Sequence, residues 1–93
     1  MIVQTVEISF LIFDSYSLKD KRSVVKSILK KLHHRYNVST AELGSLDVLN
    51  EAVIGLATIG NSQKICEQVL RQCIQEIEDN YPVEIHTVDW DRY

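Results

Sequence analysis

The sequence predicts an α+β domain in the order β-α-β-β-α-β, and three observations predict it. Two segments, between Ser17 and Asn37 and between Ser62 and Asp79, repeat their apolar residues at three- and four-residue steps. Four others alternate apolar with polar residues or run apolar throughout. The chain has 93 residues, 45% of them apolar, which supplies one hydrophobic core and one domain spanning 1–93.

The first strand covers residues 2–13. Val6, Ile8, Phe10 and Ile12 share one face, and Thr5, Glu7, Ser9, Leu11 and Phe13 share the other. Asp14-Ser15-Tyr16-Ser17 breaks the alternation. Ser17-Leu18-Lys19-Asp20 then has the form of a capping box, in which a hydroxyl and a carboxylate accept from free backbone N–H groups at a helix start. In the helix that follows, Val25, Ile28, Leu29, Leu32 and Tyr36 gather on one stripe, leaving Lys19, Lys26, Lys30, Lys31 and His34 outside it.

Asn37 stops this helix, and Val38 to Leu43 reads as a short strand. Gly44 to Asn50 connects it, with room for one helical turn, to a strand at Ala52–Ile59 that is apolar on both faces, as a central strand is. Gly60-Asn61-Ser62 turns the chain into the second helix. Its inner side is expected to carry Ile65, Cys66, Val69, Leu70, Cys73, Ile74 and Ile77. Asp79-Asn80-Tyr81-Pro82 ends it, and the last strand runs from Val83 towards Arg92. Alternation in that strand changes phase near Thr87 and Val88, which predicts a bulge or an exposed apolar face.

This element order is that of ferredoxin-like domains, a four-stranded antiparallel sheet with two helices on one face. The other face is then left open. Leu11 and Phe13, with Val88 and Trp90 from the last strand, are the residues expected there, and a second copy of the chain would cover them at least cost.

Charge is distributed unevenly. Net charge is −3, yet seven of the ten Lys and Arg residues fall between Lys19 and Arg35: Lys19, Lys21, Arg22, Lys26, Lys30, Lys31 and Arg35. A basic segment on an acidic chain favours a polyanionic partner over a merely solvated helix face. From Glu67 to Asp91, by contrast, seven acidic residues accompany only Arg71.

Other chemistries find less support. The three glycines, Gly44, Gly55 and Gly60, are too scattered for a phosphate-binding loop and form no Gly-x-x-Gly clamp. The strand from Val53 to Ile59 has no aromatic residue on which a base could stack. Asp47 with Glu51, and His86 with Asp89, supply no nucleophile, base and orienter at catalytic spacing. His33, His34, Cys66, Cys73 and His86 lack the paired spacing of zinc sites, so no metal and no cofactor is expected. Cys66 and Cys73 lie about 10 Å apart along a helix, beyond disulfide reach. With reduced cysteines, no apolar run long enough to span a bilayer and an acidic residue near the start, the chain reads as cytoplasmic.

Ser17-Leu18-Lys19-Asp20-Lys21-Arg22 after the first strand, then Val38-Ser39, Ala41-Glu42, Asp47, Ala52, Gly55 and Asn61, resembles the YlxP-like family of small bacterial proteins, a DUF503-type domain of unknown function. Asp20 stands where that family commonly has Glu, and a carboxylate is kept. The resemblance spans nearly the whole chain. It implies the ferredoxin-like fold and a connection with translation or ribosome maturation. The resulting expectation is a non-enzymatic protein that binds structured RNA, rRNA or the ribosome through its first helix, with no small-molecule substrate. The alternative is a homodimer or larger homo-oligomer, an interaction module using the open sheet face or the charge-asymmetric surfaces.

Overall fold

The computed structural model describes residues 1–93. Its elements are β1 (Ile2–Ile12), α1 (Leu18–Arg35), β2 (Ser39–Gly44), β3 (Glu51–Gly60), α2 (Gln63–Asn80) and β4 (Val83–Arg92). The strands form one antiparallel sheet in the order β2-β3-β1-β4, the ferredoxin-like arrangement.

The inward rows of the central strands explain why the helices lie where they do. Val6, Ile8, Phe10 and Ile12 of β1 and Ala52, Ile54 and Leu56 of β3 are fully buried. Above them pack Val25, Ile28 and Leu32 from α1 and Leu70, Cys73 and Ile77 from α2. Each large aliphatic side chain buried here contributes about 1.5–3 kcal/mol. The α2 stripe is narrower than its composition suggests. Cys66, Leu70, Cys73 and Ile77 fall in line at four- and three-residue steps, and Ile65, a turn of about 100° from Cys66, stays 56% exposed.

Both helices start as the sequence indicates. Ser17 accepts from the Asp20 N–H at 3.1 Å, and Ser62 accepts from the Ile65 N–H at 3.5 Å. The Asp20 carboxylate closes its half of the box one residue early, accepting from the Tyr16 N–H at 3.4 Å. The segment Gly44 to Asn50 contains no helical turn. It is a turn with Ser45 at φ 56°, pinned by Ser15 Oγ donating to the Leu49 carbonyl at 2.7 Å.

Val88 and Trp90 depart from expectation. The change of phase in β4 is a bulge at His86: Ser9 pairs with Thr87, while Phe10 pairs with Ile85. That one extra residue keeps Val83, Ile85, Val88 and Trp90 all on the helix side, opposite Ile12, Phe10, Ile8 and Val6. Val88 and Trp90 therefore pack against the core rather than on the open face, and the Arg71 guanidinium of α2 lies 4.9 Å above the Trp90 ring. Leu11 does sit on the open face, and Phe13, just past the strand, is 47% exposed.

Cys66 and Cys73 are both buried and free. Burial first, and the Glu76 charge second, push the Cys73 thiol up to about 12 from an ordinary 9.0. A mild thiol reagent at slightly alkaline pH is therefore expected to modify neither cysteine in the native protein and both in denaturant; fast native labelling would contradict this burial. Because the folded value of Cys73 is raised, its contribution to stability is complete below pH 9.0 and is lost as pH rises towards 12.

Candidate nucleic-acid interface

The rotation of α1 about its own axis decides which of its cations meet solvent. Val25, Ile28 and Leu32 must face the sheet, which fixes every other position at 100° per residue. Lys19, Arg22, Lys26 and Lys30 then fall within about 80° of one another, a straight stripe about 16 Å long. All four are exposed, and none takes part in an ion pair.

The stripe runs on the flank of α1 next to β2, the edge strand. Arg22, Lys26 and Lys30 line a shallow groove with Val25 and Leu29 at its base and Glu42 of β2 opposite. The helix is tied to that edge from below, since Thr40 Oγ1 donates to the Leu29 carbonyl at 3.4 Å. At the far end His33 Nδ1 lies 3.0 Å from the Val38 carbonyl.

The other three basic residues in the segment are not part of this surface. Lys21 is fully buried: it falls on the same stripe as Val25, Ile28 and Leu32, and its ammonium donates to the Ser45 carbonyl and lies 3.7 Å from Glu42. It is a strut between α1 and the β2–β3 turn rather than a contact for phosphate. Lys31 and Arg35 turn to α2, where both meet Glu76. Lys31 is 3.4 Å from its carboxylate, and Arg35 donates to it at 2.7 Å. Tyr36 Oη donates to the second carboxylate oxygen at 3.0 Å, so one buried acid holds three donors.

Burial would raise the Glu76 carboxyl, but the Tyr36 hydrogen bond and the Lys31 and Arg35 charges outweigh it and hold the group below the usual carboxylate range. Tyr36 shifts the opposite way, raised by burial and by the same hydrogen bond to Glu76. The sequence signal for this cluster was available: Glu76 follows Val69 and Cys73 around the inner flank of α2, a charged residue where an apolar one is expected. Glu42 gave a weaker signal, as an acid on the inward row of a short strand.

Asp47 and Glu51 remain apart from this surface, on and after the exposed β2–β3 turn. His86 stands at the β4 bulge, 3.7 Å from Glu84. No helix is long and apolar enough to cross a membrane.

These features define a ferredoxin-like α+β protein with a solvent-facing cationic stripe beside an edge strand. The family model described as "Protein of unknown function (DUF503)" matches residues 3–90, and the chain belongs to that family. It is 34% identical over 76 residues to the Bacillus subtilis (strain 168) "Uncharacterized protein YlxP", covering 82% of each chain. Among solved structures, the VAO-type flavoprotein MtVAO615 of Myceliophthora thermophila C1 superposes with a TM-score of 0.56 at 13% identity. The match covers 99% of this chain but 16% of that one, and the likeness is one of fold alone.

Replacing Lys21 with Ala strands the Ser45 carbonyl and Glu42, at an expected cost of about 1–3 kcal/mol in urea unfolding. Affinity for a polyanion should be unchanged in the folded variant; a loss matching that from ridge substitutions would overturn the strut assignment. For Glu76 the folded value is depressed, so its contribution is present above the ordinary 4.5 and lost as pH falls through the lower folded value. Glu76→Gln is accordingly expected to unfold at lower temperature near neutral pH and to converge with the parent protein in acid, as thermal scans across pH would register.

Proposed function

We propose that this protein is a non-enzymatic binder of structured RNA, of the ribosomal kind, acting through Lys19, Arg22, Lys26 and Lys30. The observation that carries the reading is their arrangement: four exposed, unpaired cations in one line on a chain of net charge −3. Such a line neutralises phosphates along a backbone and releases their counterions. It offers no aromatic platform, so recognition rests on backbone position and shape. The start of α1 adds its free amide dipole next to Lys19 and Arg22, although Asp20 offsets part of that field.

The opposite side of the protein supports the same assignment by exclusion. The open sheet face, which serves other ferredoxin-like domains as an RNA platform, carries Glu7, Glu51, Glu84, Asp89 and Asp91, with no lysine or arginine among its strand residues. Phosphate is repelled there and attracted to the α1 flank. The ribosomal direction follows from the family resemblance.

The expected result is salt-sensitive association with ribosomal subunits or a structured RNA, measured by co-sedimentation or filter binding. Four phosphate contacts correspond to a log–log salt slope of about −3 to −4. The triple substitution Arg22→Glu, Lys26→Glu and Lys30→Glu should abolish binding while leaving thermal unfolding unchanged. Salt-independent association, or retention by the triple variant, would refute the reading.

A further inference from the structure

The five carboxylates of the open sheet face stand in an arrangement that costs the isolated chain free energy. Glu7 and Asp89 are direct cross-strand partners, and like charges so placed destabilise a sheet. None of the five is paired with a lysine or arginine; Glu84 has only His86, at 3.7 Å.

They fall into two groups. Glu7, Asp89 and Asp91 edge a groove of about 360 Å³ whose floor is Gly55 and whose walls include Leu43 and Tyr93. A Cβ at Gly55 would come within 2.7 Å of Leu43 Cδ1, so a larger residue there would shift that exposed leucine and reshape the groove. Glu51 and Glu84 form the second group, flanking Leu11 because each is its cross-strand partner. From Glu7 to Leu11 is four residues of strand, about 13 Å.

The α1 ridge carries the opposite sign over a comparable length. The centre of Lys19 and Arg22 lies about 11 Å along the helix from the centre of Lys26 and Lys30. Long cationic side chains can lay their stems on Leu43 and Leu11 while their heads reach the carboxylates. The geometry points to a second copy of this chain as the occupant of the open sheet face, the α1 ridge of one copy lying along β1 of the next with one cation pair at each carboxylate group.

A symmetric back-to-back dimer through this face is opposed by the same charges, since it would bring the two acidic surfaces together. The head-to-tail contact instead leaves an unused ridge at one end and an unused face at the other, so assembly grows with concentration. Exposed ion pairs are individually weak and are screened within about 10 Å at 0.1 M salt, which confines the association to low ionic strength and high protein concentration. The inference does not rest on RNA binding, although both would use the same ridge and so compete.

The test uses the purified full chain, free of nucleic acid, in sedimentation velocity and light scattering. At low ionic strength the average mass should climb with concentration, and added salt should return it to the monomer. A face variant, Glu7→Lys with Asp89→Lys, and a ridge variant, Arg22→Glu with Lys26→Glu and Lys30→Glu, should each stay monomeric alone. Mixed in equal amounts, they should associate again, because each now complements the other. Should the face variant fail to fold by circular dichroism, Glu7→Gln with Asp89→Asn takes its place and should weaken association. A parent protein that stays monomeric throughout, a salt-insensitive dimer, association surviving either reversal, or a mixture that remains monomeric would each overturn the proposal.

Discussion

One-sided burial governs this molecule. The inward rows of β1 and β3 can be covered only by the apolar stripes of α1 and α2, and closing that layer leaves neither helix free to rotate. For α1 the consequence reaches the surface. Once Val25, Ile28 and Leu32 face the sheet, seven basic residues that are neighbours in sequence separate into a wet stripe towards β2, a pair towards α2 and one interior strut. The layout of the cationic surface follows from the packing of its opposite side.

Much of the fold is legible because its signals are local and periodic. Both Ser caps, the alternation of β1, the doubly apolar β3 and the phase change of β4 each follow from neighbouring residues and correspond to observed structure. What a phase change means is less local. The same pattern allows a bulge or an exposed apolar face, and only the register against β1 shows that His86 takes up the extra residue and sends Val88 and Trp90 inward. The side on which a strand residue lies beyond a bulge depends on a partner strand distant in the chain.

The cationic segment shows a similar limit. That Lys26 and Lys30 stand clear of the core is readable from helical periodicity. Arg22 and Lys21 are adjacent in sequence, yet one is exposed and the other has no solvent contact. Lys21 falls on the apolar stripe, where a buried ammonium is tolerable only with partners, and these arrive from the β2–β3 turn and from Glu42, more than twenty residues further along. Lys31 and Arg35 are likewise claimed by Glu76, some forty residues away. Periodicity locates a side chain on its helix but cannot say which carboxylate a second helix will present to it.

The buried state of Lys21 also bears on how variation in such chains is to be read. At Lys19, Lys26 or Lys30 an arginine keeps the charge in open water and meets no neighbour that forbids it. At Lys21 the enclosed space suits a compact ammonium, and a planar guanidinium with its larger set of donors would leave several without acceptors. Two lysines separated by a single residue in the same short motif thus obey different rules of replacement, one set by the solvent and the other by the shape of the interior.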